Sequence, residues 1–468
     1  MLGCFGLTGV AIGSTIASAV FSLSGDMAAA GAGTGAVLVG WLLCGSGMMA
    51  MVLCFFQLNK IKPELKGGIY SYARAGFGDY IGFQSVWGFW ISNFLANVSF
   101  AALMFSAAGR FFPLFGAGNN LASTVGASVL TWGFALLVKK GVKAATLINL
   151  IVTLAKLVPI LIFIMAVFFF KAFDPQIFFM NFMGQDTGLP FGRQVAATAY
   201  TTAWAFIGVE GAVVISGRAR NMADVGRATM ISYLGVLVIY VMVSVLSMGV
   251  MTRGQLAQLG NPPLADILTQ AAGPWGGALI NGGVIIALLG ATLGHVIICT
   301  ECIYEAASSG SFCRAFAATD KKGTPVFALL VTSGLVQIFL ILSYFQKSTY
   351  QAFYGVATSM MIIPYLLTAL YYRKLISQNT VILQRKGIHP GGAKITAGLG
   401  ILYGLWLLYS GGIDNLLVTA LLYAPGTLIY IKGKREQGQR AFSQLQDKAA
   451  LAVLFLLAAI SLVTKGFL

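Results

Sequence analysis

Three ionisable side chains stand in stretches otherwise fit to cross a bilayer. Glu210 lies in TAYTTAWAFIGVEGAVVISGRAR, uncharged elsewhere between Arg193 and Arg218. Lys156 lies in INLIVTLAKLVPILIFIMAVFFF, 13 residues after Lys143 and 15 before Lys171, too deep for its stem to lift the ammonium to an interface. Glu301 lies in a third such stretch, toward one end, where it reads equally as a hydrated end-of-helix acid. A charge at the bilayer centre costs ~2.5–3.5 kcal/mol on insertion scales, so a carboxylate or ammonium there is paired, hydrated, neutralised or in use. The uses open to such groups are proton exchange and the balancing of a charged cargo. Asp26, which ends the first apolar stretch, reads either as interfacial or as a fourth such group.

Glycines flank Glu210 at Gly208 and Gly211, marking a helix that breaks beside its charge. A second small-residue interruption, GSTIASAVFSLSG, runs from Gly13 to Gly25. Unwound backbone frees N–H and C=O groups that hydrocarbon cannot satisfy. A carboxylate takes the N–H groups and an ammonium takes the C=O groups, so two breaks suit an α-amino acid head group, with Ser14, Thr15 and Ser18 adding small hydroxyls. Trp204, six residues before Glu210, is placed to close over a substrate or hold a cationic side chain. Asn93 and Asn97 share one helix face at i and i+4 and need partners, either a neighbouring helix or a substrate. His295, Cys299 and Cys302 also share a face; the CxxC has no second pair, and packing explains it better than a metal.

The elements that position these groups follow from composition. Of 468 residues, 58% are hydrophobic and 9% charged, against roughly 25% charged in soluble domains, so the chain is an all-α polytopic membrane protein. Long apolar runs exclude an outer-membrane barrel. Thirteen apolar segments are expected, at 7–32, 36–57, 81–109, 121–138, 146–170, 194–217, 228–252, 277–306, 325–345, 350–372, 396–411, 413–431 and 449–464. The last is short of the ~20 residues a straight span needs, so 12–13 transmembrane helices result. With the N-terminus inside, 23 of the 30 basic residues fall in inside loops and six outside: Arg110, Lys171, Arg193, Arg253, Lys347 and Lys465. That asymmetry orients the chain with a cytoplasmic N-terminus and explains the net charge of +16 without a nucleic-acid partner. The interruptions lie in segments 1 and 6. A five-segment offset reverses direction, so residues 1–171 and 193–372 read as two inverted five-helix repeats, followed by 394–431 and a possible helix at 449–464.

At these residues the chain resembles a known family. The stretches GSTIASAVFSLSGDMA, KGGIYSYARAGFGDYIGFQSVWGFWISN (Lys66–Asn93), TTAWAFIGVEGAVVISGRAR and AASSGSFCRAFAATDKKGTP (Ala306–Pro325) are similar to those of the amino acid–polyamine–organocation superfamily, and within it the basic amino acid antiporters of the arginine/ornithine and arginine/agmatine type. The resemblance implies a LeuT-like fold with broken helices 1 and 6, and alternating-access exchange. It also implies that Ser14 to Ala19, including Ala17 and Ala19, form the head-group site, that Trp204 is a gating aromatic, that Asn97 is a segment 3 contact, and that Glu210 is a proton-sensing acid. Lys156 matches a lysine that stands in a sodium site in some relatives and that the arginine/agmatine type lacks. The family's Gly-Ser-Gly is Ala17-Ser18-Ala19 here, and His295 falls where the arginine/agmatine type has a tryptophan.

The reading is therefore a secondary transporter that exchanges amino acids, basic ones first (arginine, ornithine, lysine or their amines), in a bacterial-type inner membrane, as a monomer or homodimer without cofactor or metal. Its substrate contacts are Ser14, Thr15, Ala17, Ser18, Ala19, Asn93, Asn97, Trp204, Gly208 and His295; Glu210 and Lys156 couple to protons. A proton-coupled symporter is the alternative mechanism. A channel would need a continuous polar pore, and an enzyme a nucleophile–base pair; with His295 and His389 the only histidines and no HExxH or GxSxG, neither is legible.

Overall fold

The computed structural model describes residues 3–65, 69–140, 143–210, 220–346, 349–378, 383–384 and 386–464. Gly211, Arg218 and the rest of 211–219, together with Lys66, Lys347, Arg385 and Lys465, lie outside the described residues. Among the described residues helices joined by turns and irregular connections make up the fold, without strands.

Segment 1 is α1 (Cys4–Thr15) and α2 (Leu23–Ala29), separated by an irregular stretch and a 3₁₀ turn at Ala19–Phe21. Then come α3 (Thr34–Ile61), a short α4 (Ile69–Phe77), α5 (Asp79–Gly109), α6 (Leu121–Lys140) and α7 (Lys143–Phe169). The second half begins with α8 (Pro175–Met180), α9 (Phe191–Ala197) and α10 (Ala199–Phe206), the last ending at the segment 6 break. It continues with α11 (Met222–Val250), α12 (Arg253–Gln258), α13 (Pro263–Ala272), α14 (Pro274–Ser308), α15 (Val326–Gln346) and α16 (Tyr350–Gln378). The trailing elements are α17 (Pro390–Tyr423), α18 (Gly426–Glu436) and α19 (Leu445–Thr464).

Nine helices among the described residues are long and apolar enough to cross a membrane. The sequence reading of 12–13 spans is recovered from where the remainder are interrupted. Segment 1 is broken into pieces, segment 6 is described only through Glu210, and α7 is one helix of 27 residues, long enough to span, with Pro159 inside it. The stretch Pro390–Glu436 runs together as one span, yet Gly412 within it has φ +72, a conformation that L side chains rarely adopt. That glycine divides segments 11 and 12 where the sequence reading divides them.

Two differences have physical causes. The last helix starts at Leu445, four residues before the apolar run, because its first turn carries the polar Gln446, Asp447 and Lys448. With 20 residues it is long enough to span. The connections read as loops also hold α4, α8, α12 and α13. These are short helices set by local caps rather than by apolar runs: a capping box between Thr252 and Gln255 starts α12, and Asp174 caps α8 with Pro175 behind it.

The helices pack with α5 at the centre, nearly all of it enclosed, against α14 and α16. α5 and α14 are the third members of the two halves, and α1 lies against α7, α11 and α14. The broken segments are thus held inside a cage of unbroken ones.

Candidate functional site

The site begins where α1 stops. Thr15 ends the helix, Ile16 turns to an extended conformation, and the N–H groups of Ala17 and Ser18 make no hydrogen bond among the described residues. Two neighbours and one bond within α1 hold this end. Lys156 on α7, buried, donates from Nζ to the Gly13 carbonyl; Tyr240 on α11 donates to the Thr15 carbonyl at 3.0 Å; and Thr15 Oγ1 donates back to Ala11 at 2.7 Å.

Segment 6 stops opposite. α10 ends at Phe206, Ile207 is extended, and Gly208 has φ +103. A Cβ on Gly208 would lie 2.5 Å from the Ser14 carbonyl oxygen, so the two breaks touch backbone to backbone and only glycine fits. Ser14 Oγ donates to the Gly208 carbonyl at 2.8 Å and fastens one break to the other.

Between them is a narrow space of about 10 Å³, room for roughly one water molecule. Ser14, Thr15, Ala17, Ser18 and Ala19 form one wall; Ile207 and Trp204 form another; Phe100 of α5 and His295 of α14 complete it. His295 Nδ1 lies 3.0 Å from the Ala291 carbonyl. A carbonyl only accepts, so Nδ1 carries the proton, and the neutral ring keeps Nε2 as an acceptor. The ring meets Phe100 edge to face at 4.9 Å.

Beyond Trp204, on the α2 side, a hydrogen-bonded layer covers the cavity. Trp204 Nε1 donates to Ser18 Oγ at 3.2 Å and Tyr350 Oη at 3.0 Å, and Tyr350 donates to Ser18 at 3.0 Å. Tyr354 stacks on the indole with centroids 5.6 Å apart. Further out, Gln351 binds Asp26 at 2.8 Å and Asn261 at 3.3 Å, and the ion pairs Arg253–Asp186 (2.6 Å) and Arg110–Asp266 (2.7 Å) tie the connecting segments together.

On the opposite side Glu210 is buried. Its Oε2 accepts from Tyr365 Oη at 2.6 Å and from Gly208 N at 3.1 Å, so the carboxylate caps the break and joins segment 6 to α16. Nearby, Arg74 of α4 bonds Asp79 at 2.7 Å and the Ser309 carbonyl at 3.2 Å, and Lys434 of α18 bonds Asp79 at 2.5 Å.

The structure gathers most of the residues singled out from sequence around one cavity. Asn97 is buried on α5, one turn from Phe100 but not itself on the cavity wall, and neither of its amide atoms has a hydrogen-bond partner among the described residues. Asn93 does not reach the cavity; it donates to the Phe89 carbonyl of its own helix at 2.7 Å. Glu301 is exposed at the end of α14 away from the cavity. Asp26 is buried rather than interfacial. Cys299 and Cys302 are free thiols, and no set of three His, Cys, Asp or Glu converges among the described residues. Sequence reading missed Phe100, Tyr240, Tyr350, Tyr354 and Tyr365. Each is uncharged and common in apolar helices, and only the i, i+4 spacing of Tyr350 and Tyr354 marks a shared face.

Two apolar segments whose helices stop where they meet, around a narrow space inside a caging bundle, are the build of a secondary transporter. The model of the amino acid permease family matches residues 2–431, and the chain belongs to that family. It is 41% identical over 457 residues to an arginine/ornithine antiporter of Pseudomonas aeruginosa, covering 96% of this chain and 94% of the relative. It is 37% identical over 467 residues to an arginine/agmatine antiporter of Chlamydia trachomatis serovar D (99% and 96%) and 38% identical over 466 residues to one of Chlamydia pneumoniae (98% and 95%). Among solved structures, a Na+-coupled sialic acid symporter in a substrate-bound, outward-open state shares the fold, with a TM-score of 0.53 at 14% identity over 89% of this chain and 90% of that one.

Proposed function

We infer that this protein exchanges basic amino acids, such as arginine and ornithine, or their amines, across a bacterial inner membrane by alternating access. The observation that carries the reading is the narrow space pinched between the two breaks, with N–H groups at Ala17 and Ser18 on its wall that have no partner among the described residues. The names of the relatives, at 37–41% identity over nearly their full length, support the substrate class and the antiport mode. With the N-terminus inside, the layer over Trp204 faces outward, and Glu210 lies on the cytoplasmic side. The repeats are taken as 1–171 and 193–372.

The roles follow from the geometry. The substrate carboxylate takes the Ala17 and Ser18 N–H groups, and its ammonium takes free carbonyls at the breaks. Trp204, pinned by Ser18 and Tyr350, closes the outer side. Asn97 supplies an amide that has no other employment, and His295 Nε2 accepts a donor from the substrate's side chain. Glu210 joins the segment 6 break to Tyr365, so a proton on that carboxylate alters a contact that must change when the inner side opens. Lys156 ties the segment 1 break to α7 in the same manner. Glu301, exposed, reads as an end-of-helix acid. The chemistry is movement, with no bond made or broken in the cargo.

Counterflow in proteoliposomes tests the reading. Vesicles are loaded with one unlabelled amino acid, and uptake of labelled arginine, ornithine, lysine and leucine is followed. Loading with a basic amino acid drives uptake of labelled basic amino acids and leaves leucine outside. Uptake that ignores the internal load and follows a pH gradient would replace exchange by proton symport.

A further inference from the structure

One buried carboxylate has no place in the site described above. Asp26, on α2, is 5% exposed. Its Oδ1 accepts from Gln351 Nε2 at 2.8 Å, and its Oδ2 has no donor among the described residues. No cationic side chain among the described residues pairs with it. The cation on the neighbouring turn, Arg253, bonds the Ala28 carbonyl and is committed to Asp186 at 2.6 Å. A buried carboxylate served only by the neutral side chains of Gln351, Ser22 and Tyr354 is short of the solvation it had in water, and a cation is the partner that restores it.

Its surroundings suit one. Ser22, Tyr350 and Tyr354 stand around the carboxylate, and their hydroxyl oxygens can accept from an ammonium or guanidinium held there. The donor now on Asp26 is loosely held. Gln351 shares its amide with Asn261 through bonds of 3.3 Å in both directions, and Asn261 belongs to a connecting segment held by Ser106 at 2.6 Å. Tyr350 links this place to the cavity, since its hydroxyl bonds Ser22 at 3.2 Å as well as Ser18 and Trp204. Asp26 lies seven residues beyond Ala19, roughly 10 Å along a helix rising 1.5 Å per residue, and therefore one layer outside the cavity.

We propose that Asp26 is an outer staging site that binds the ammonium or guanidinium of an incoming basic amino acid while the outer path is open, and that Gln351 takes the cation's place when the path shuts. The proposal rests on the exchange of basic amino acids inferred above. It adds a second binding position, selective for side-chain charge and reached only from outside. A neutral amino acid has nothing to give Asp26.

The test measures external and internal KM for arginine in proteoliposomes of known orientation, for wild type, Asp26→Asn, Asp26→Glu and Gln351→Leu. Asp26→Asn keeps the shape and the bond to Gln351 and removes the charge. The external KM rises about tenfold, the size of one charge-assisted hydrogen bond, while the internal KM and the rate at saturation stay within twofold. Asp26→Glu restores most of the external affinity. Gln351→Leu removes the competitor and lowers the external KM. Equal changes on both sides, or Asp26→Asn and Gln351→Leu shifting KM in the same direction, would make the pair only a latch and overturn the proposal. So would an unchanged KM with a lost pH dependence, which makes the cation a proton. If wild type carries no basic amino acid, the exchange reading fails first. If wild type carries arginine and Asp26→Asn does so with the same external KM, the staging site alone fails.

Discussion

Replacing Gly208 by alanine strikes the contact on which the site depends. Gly208 has φ +103, and its missing Cβ would stand 2.5 Å from the Ser14 carbonyl oxygen and 2.9 Å from the Ser14 carbonyl carbon. Both are backbone atoms, so no side chain can swing aside. Non-bonded heavy atoms rest at ~3.5–4.0 Å, so the two breaks must part by roughly 1 Å. The unusual φ adds about 1–3 kcal/mol of strain for a residue with a Cβ. Either the loop refolds or the breaks separate, and both move the backbone groups that face the cavity. At ~1.4 kcal/mol per tenfold, strain alone lowers substrate affinity ~5- to 150-fold. The assay is equilibrium binding of labelled arginine to purified protein, with the thermal midpoint recorded alongside. Gly235→Ala is the control, since Gly235 has nothing within 4 Å of a built Cβ and an ordinary helical φ; it binds like wild type. Gly208→Ala within twofold of wild type would refute the claim that the breaks touch where the substrate binds.

Other expectations follow from single contacts. Asn97→Leu removes two buried amide atoms that have no partner among the described residues, so it raises the thermal midpoint of substrate-free protein by an amount worth ~1–3 kcal/mol, and it weakens arginine binding about tenfold. Trp204→Phe keeps the ring and loses the donor to Ser18 and Tyr350; exchange slows several-fold, and a cysteine placed beside the cavity becomes more reactive to an external thiol reagent. Lys156→Met leaves the Gly13 carbonyl without its donor, costing ~1–3 kcal/mol at the segment 1 break, and counterflow falls about tenfold or more in protein that still elutes as a single species. Glu210→Gln retains an acceptor for Tyr365 while removing the titratable group, so exchange persists with a flatter dependence on pH; an unchanged profile would make the acid purely structural.

The fold was legible because membrane helices announce themselves by length and apolarity, and because small residues interrupt segments 1 and 6 at matching places. Gly208 and the run Ser14–Ala19 were readable for the same reason: small residues at bilayer depth have few other purposes. The division at Gly412 was readable too. What sequence concealed was the meeting of distant surfaces. Tyr350, Tyr354 and Tyr365 carry hydroxyls on a helix that reads as ordinary apolar span, and their value lies in partners more than 140 positions away, such as Trp204 and Glu210. Asn93 and Asn97 looked equivalent at i and i+4, yet one turns back to its own helix and the other is left with no partner, a difference set by neighbouring helices. Asp26 sits at the end of an apolar run, where a hydrated acid is the simplest reading, and it is buried because α2 packs against α10, α11, α12 and α13 while Gln351 of α16 reaches it. The short helices α12 and α13 were missed because a cap and a proline start them, with no long apolar run to mark them.

Obligatory exchange is the centre of this account, and efflux measures it most directly. Proteoliposomes are loaded with labelled ornithine, diluted into substrate-free buffer at equal internal and external pH, and then given unlabelled arginine outside. The account expects the label to stay inside until arginine is added and then to leave in exchange. Rapid release into buffer alone, undiminished when external substrate is absent, would contradict it.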